Sequence, residues 1–334
     1  MSVKQRVAIA GLHTRIVLMR RDSGSLVEGA PGASGFIGWI RGCTLLLSVV
    51  LLAGCAGRGA EPPKPATNPL ENMNELLLSL AQRLETLATG DRELALALRS
   101  QAESLDSLGR SQPALEAIDK ALALAPDAEL QQELLSTKAA ILFSLDRASD
   151  ALAILVPMLG LEQSPSAEQM AAGQGDLSQE YIVAAFCYMR LERWSDAARA
   201  LSRTQPAGPE DDLAAYVALT YSYIKARSGE SVSDAWLDAQ VEFSAANDAG
   251  HYGALIQMWQ GDFNRDQIAK GLSALKGTEQ QDALGEVLFH RMAYARYVED
   301  DPDMAAELYG RLNDLAPYGN IEWIYARQFV GTVR

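Results

Sequence analysis

The chain has 334 residues, with 29 Lys and Arg against 43 Asp and Glu, a formal charge of −14. Such an acidic balance lacks the basic footprint of a nucleic-acid binder and favours solubility and basic partners.

The first organised feature is the apolar run Cys43 to Ala53, which carries no charge and follows Arg41. It has the length of a secretory signal core and falls short of the ~20 residues that a spanning helix needs. It closes as Leu52-Ala53-Gly54-Cys55, which resembles the lipobox of bacterial lipoproteins, where the cysteine is acylated and becomes the first residue of the mature chain. Residues 1–54 are therefore expected to be a cleaved signal, with Met19 followed by Arg20 and Arg21 as an alternative start, and Cys55 the lipidation site. The alternative is an uncleaved anchor extended back through Phe36 to Ile40, which must bury Arg41 at a cost of ~2.5–3.5 kcal/mol.

Without residues 1–54 the chain keeps 23 basic and 41 acidic side chains, a charge of −18. Anionic headgroups would repel that surface, so membrane attachment is expected through the lipid alone. Cys187 would be the one cysteine left after the signal and anchor are assigned, so no intrachain disulfide is available. Its setting, "YIVAAFCYM", reads as a buried small hydrophobe rather than a nucleophile.

Residues 55–69 hold four prolines and no apolar period, which predicts an extended tether reaching roughly 40 Å at ~3.1 Å per residue. Residues 70–94 predict an N-terminal helical segment. Met73, Leu77, Leu80, Leu84 and Leu87 form an apolar seam on one helix face. The seam requires a cover, either the following repeat or a second copy of itself, and it is the candidate dimerisation surface.

Residues 95–334 carry a recurrence. "LGRSQPALEAIDKALALAP" from Leu108, "LDRASDALAILVPMLGL" from Leu145 and "LERWSDAARALSRTQP" from Leu191 each begin Leu-x-Arg and place an alanine six residues on. Small Ala102, a turn at Gly109, Ala114, Ala121 and the closing Pro126 match the 34-residue tetratricopeptide (TPR) pattern, in which small residues let antiparallel helices approach. Leu98, Leu105, Ile118 and Leu122 fill the seam between them. The Ala114, Ala151 and Ala197 spacings exceed that repeat, and the excess is assigned in part to a loop insertion near 161–176. Further pairs are expected over Leu213 to Phe243, Tyr252 to Leu275 and Gly285 to Pro317, then a closing helix from Ile321 to Val330. The fold class predicted is all-α: a TPR-type helix-pair solenoid with an extra N-terminal helix.

Chemistry-bearing motifs are sparse. His251 and His290 lack the spacing of a metal site, and no nucleophile elbow or phosphate loop is present. The acids at Glu210 to Asp212 and Glu299 to Asp301 read as turn and helix-capping groups rather than glycosidase acids. No cofactor, metal or catalytic residue is expected, and binding is the function left. Helix-A positions offer the candidate groove: Arg99, Glu103 and Asp106 in the first repeat, Phe186, Met189 and Arg190 in the third, and His290, Tyr294 and Tyr297 in the last. The competing reading is that the solenoid closes on itself and some of these are core.

The order of features over Leu70 to Val330 resembles the NlpI-type TPR lipoproteins of Gram-negative bacteria. It is carried by "GDRELALALRSQAESLDSLG", "ALEAIDKALALAPD", "QMWQGDFNRDQIAKGLSAL" and "NIEWIYAR". The resemblance implies a homodimer anchored to the outer membrane and facing the periplasm. It implies a non-catalytic adaptor that binds peptidoglycan hydrolases, notably an endopeptidase, and presents them to a periplasmic tail-specific protease. Ala56 after the cysteine is similar to the usual outer-membrane sorting context. The 161–176 insertion and the degraded second repeat depart from the pattern. A subunit of an outer-membrane protein assembly complex is the alternative.

Overall fold

The computed structural model describes residues 68–162, 177–229, 232–315 and 319–330. The expected signal, Cys55, the tether before residue 68 and most of the 161–176 insertion lie outside the described residues. Among the described residues the secondary structure is helical, with no strand, so the fold is all-α. The helices are α1 (Pro69–Leu87), α2 (Asp91–Ser107), α3 (Ser111–Leu124), α4 (Ala128–Ser144), α5 (Ala148–Leu159), α6 (Ser178–Arg190) and α7 (Trp194–Leu201). They continue as α8 (Asp212–Ser228), α9 (Ala235–Asn247), α10 (His251–Trp259), α11 (Arg265–Ala274), α12 (Thr278–Tyr297), α13 (Pro302–Leu315) and α14 (Ile321–Val330).

From α2 to α13 each even-numbered helix packs on the odd-numbered helix that follows it, giving successive hairpins flanked by α1 and α14. The recurring Leu-x-Arg has a backbone cause. In the first hairpin Leu108 caps α2, Gly109 turns left-handed at φ 72°, and the Arg110 N–H donates back to Leu105 O at 2.8 Å. Arg147 to Leu142 O and Arg193 to Tyr188 O repeat that bond at 2.9 Å each, with Asp146 and Glu192 at φ 59° and 57° in the glycine's place. This six-to-one closure satisfies carbonyls that a helix end otherwise leaves open. A side chain in that conformation costs roughly 1–2 kcal/mol, so Asp146 and Glu192 sit where glycine would be cheaper.

Packing follows the small residues. Ala102, Ala114, Ala121, Ala151 and Ala197 are all fully buried, at 0% exposure, where paired helices cross. Leu98 and Ile118 fill the first seam, with Leu105 and Leu122 half-buried at its edge. α3 stops at Leu124, just ahead of Pro126, whose ring cannot continue the ladder.

The start of the described chain meets α12 and the end of α13. The Asn68 side chain caps α1 by accepting from the Leu70 and Glu71 amides. Asn68 also donates to Leu315 O at 2.9 Å and accepts from the Gln281 amide of α12 at 2.6 Å. α14 packs against α4, α6, α12 and α13. The Tyr325 ring stands edge-on to Phe186, Tyr223 and Phe289, with centroids 5.7–6.1 Å away. Tyr216 donates to Glu322 at 2.8 Å, and Arg327 donates to Ser144 O at 2.6 Å. The closing helix thus covers the face of α4, α6 and α12 that a groove would need.

α1 lies on α2 through Leu70, Asn74, Leu78 and Ala81. That face is rotated by roughly 90–100° from the Met73 to Leu87 seam, at about 100° per residue. Met73 and Leu77 are half-buried, whereas Leu80, Leu84 and Leu87 are 47%, 56% and 71% exposed. The first hairpin therefore covers a neighbouring face of α1 and leaves most of the seam in solvent.

Candidate functional site

The candidate residues of the first repeat form a polar seam between α2 and α4. Arg99 donates to Glu103 at 2.9 Å and pairs with Glu133 of α4. Glu103 also accepts from Thr137 at 3.3 Å, and its burial raises its pKa against the pull of Arg99. These side chains are spent on joining two helices, which leaves Arg99 at 17% side-chain exposure.

The candidates of the third and last repeats divide between core and edge. Phe186, Met189, His290 and Tyr294 are buried, because α14 and the neighbouring hairpin cover them. This corrects the expectation that His290 and Tyr294 present an open groove face. His290 accepts at Nδ1 from the Trp259 indole N–H at 3.1 Å, and burial pushes its pKa down to about 3. Tyr297 is half-buried beneath Arg227, whose guanidinium carbon lies 3.7 Å from the ring centroid. Cys187 is buried and its thiol is pushed up by burial, a setting that suppresses the thiolate.

Sequence reasoning missed the buried partner of His251. Glu286, one turn before His290 on α12, is fully buried and accepts from Tyr252 at 3.1 Å while bonding His251 Nε2 at 2.8 Å. This cluster ties α10 to α12. Periodicity hid it, since Glu286 stands among apolar neighbours on a helix buried on every side.

One open feature among the described residues is a cleft of about 600 Å³ where the turns after α2 and α4 meet the ends of α6 and α14. Gly109 to Pro113, Ser144, Leu145, Asp146, Arg190 and Arg327 line it. Two sequence candidates meet there. Arg190 makes a forked pair with Asp146 at 2.8 and 3.2 Å. Asp106 lies behind the wall, accepting from Ser144 at 2.9 Å, with Ser111 and Arg327 also lowering its pKa. Although the residue as a whole is only half-buried, its Oδ1 is shut off from solvent, and burial raises the pKa to about 6.

Arg110 and Arg327 complete the lining and were not singled out from sequence. Arg110 is the arginine of the first Leu-x-Arg, a recurrence that marks the turn and says nothing of a cleft. Arg327 closes "NIEWIYAR", and nothing local tells that it will reach Ser144, 183 positions away. A smaller cleft of about 440 Å³ lies between Ser202 and Pro209 and is walled by Trp236 and Gln240. No helix among the described residues is long and apolar enough to cross a membrane. No family model and no curated protein matches the chain.

Proposed function

We propose that this chain is a non-catalytic, lipid-anchored adaptor built on TPR-type repeats and held at the outer membrane through Cys55. In this reading it is a homodimer that gathers peptidoglycan hydrolases, an endopeptidase among them, and a tail-specific protease on one scaffold in the periplasm. The observation that carries the reading is the succession of hairpins α2 to α13, with the same left-handed closure after α2, α4 and α6. Repeat stacks of this kind expose long surfaces and serve binding. The titratable side chains found together bond one another within and across helices: Arg99 with Glu103 on α2 and with Glu133 on α4, and His251 with Glu286. Groups held so are cross-links rather than poised acids or bases.

The test is affinity capture from detergent-solubilised envelopes with the full-length protein as bait. Recovery of cell-wall hydrolases together with a periplasmic protease supports the adaptor. Recovery of outer-membrane barrel-assembly proteins in their place moves the chain to the alternative, an assembly-complex subunit. Release of muropeptides from purified peptidoglycan by the pure protein would overturn the non-catalytic part.

A further inference from the structure

We propose that the cleft at the turn end of the first two hairpins binds a carboxylate presented by an extended peptide, through Arg110, Arg190 and Arg327. The inference deepens the adaptor reading and rests on it only for the source of the peptide.

The cleft concentrates cations on a strongly acidic chain. Three arginines and no lysine line it, and the planar guanidinium fork matches a carboxylate in two-point geometry where an ammonium cannot. The wall adds to this. α3 opens at Ser111 with no side-chain cap and no acid in its first turn, so its amide dipoles face the cleft uncompensated from their own helix.

The carboxylates already present occupy the cleft weakly or lie behind it. Asp146 fills the Arg190 fork, yet its side chain is 50% exposed and its backbone is left-handed at φ 59°. The first hairpin has Gly109 at the same turn position. An aspartate is therefore held at a glycine position, with its carboxylate in the fork that a ligand would use. Arg110 reaches Glu75 on α1, and both side chains are about half exposed, at 48% and 45%. Exposed pairs of this type are worth little and exchange readily for a better-placed anion. Asp106 faces Arg327 and the hydroxyls of Ser111 and Ser144 from behind, so it offsets Arg327 in part and leaves Arg110 and Arg190 as the forks that a ligand gains.

Two sources share this chemistry, the free C-terminus of a chain and an Asp or Glu side chain. Fluorescence anisotropy of the full-length protein with a labelled Gly-Ser-Gly-Ser-Ala-Ala peptide separates them when three forms are compared. These are the free acid, its C-terminal amide, and an amide with Glu as its last residue. The expected result is binding of the free acid at least about tenfold tighter than the plain amide. Recovery of binding by the Glu amide assigns a side-chain source, and its failure assigns a chain terminus.

Asp146→Asn should raise affinity about three- to tenfold by releasing the Arg190 fork. A gain of that kind cannot come from unfolding. Arg110→Gln, at an exposed position, should lower affinity about tenfold with unchanged thermal melting. Equal affinity for the three peptides, absence of binding up to about 1 mM, or no gain in Asp146→Asn would each overturn the site. Capture of the same partners by a protein that fails these titrations leaves the adaptor standing and removes the cleft. Peptide binding without partner capture does the reverse.

Discussion

Leu80 and Leu84, changed together to Glu, should convert the proposed dimer to monomers without unfolding them. Leu76, Leu80, Leu84 and Leu87 are 60%, 47%, 56% and 71% exposed on α1, so on average a little over half of each residue is still available to bury. With full burial of a leucine worth roughly 1.5–3 kcal/mol, each contributes about 1–1.5 kcal/mol on docking. A two-fold interface counts every residue twice. Eight leucines then give roughly 8–12 kcal/mol gross, against an association cost of about 4–15 kcal/mol. The dimer is therefore marginal on this stripe alone and draws on Met73 and Leu77 at its margin. Four buried glutamates in place of four leucines remove about half of the gross term and add uncompensated desolvation. The monomer should be spared, because exposed substitutions shift stability by only about 0.5 kcal/mol. Light scattering after size-exclusion chromatography over a concentration series, beside circular dichroism melting, makes the test. A wild-type protein that is monomeric throughout, or a double variant that remains dimeric, refutes the reasoning.

Three further outcomes are expected. His290 has a folded pKa of about 3, well below its ordinary 6.5. The stability tied to its neutral form is thus full above about pH 6.5 and lost as the pH falls toward 3, so His290→Gln should flatten the acid limb of a melting-temperature profile. A limb of unchanged slope in the variant refutes the assignment. Asp106 runs the other way: its pKa is raised to about 6 from 3.8, and its contribution is full below about 3.8 and lost as the pH rises through 6, so Asp106→Asn should stabilise at pH 7 by at most about 3 kcal/mol. A loss of stability at that pH contradicts it. Cys55→Ala should abolish metabolic labelling by an acyl analogue, and a variant that is still labelled removes the lipobox assignment.

The sequence displays the hairpins because each needs only local information. The alanines that mark helix crossings are buried, and Leu-x-Arg marks where a helix closes on its own carbonyls. The cleft needs more than that. Arg327 reaches Ser144 from 183 positions away, a contact that no window on the chain contains.

The burial of His290 and Tyr294 follows from a packing requirement that the helix-A offsets overlook. A helix with one exposed groove face should alternate in polarity around its circumference, whereas one that is apolar all round is covered on all sides. Every residue from Leu213 to Ile224 in α8 is buried, and Glu286 to His290 of α12 are buried without a break. Such helices require cover on their inner side as well as from their hairpin partners. The segment available after α13 is Ile321 to Val330, which carries Trp323, Ile324 and Tyr325 for that purpose. The polar groups in the same stretch follow from the same requirement. Glu322 and Tyr325 enter a buried surface where Tyr216 and Tyr223 meet them with hydroxyls at 2.8 and 3.2 Å. A closing helix so matched to α6, α8 and α12 is part of the core, which is why the proposed binding surfaces lie at the turn edge and on the α1 stripe rather than on the inner face that it covers.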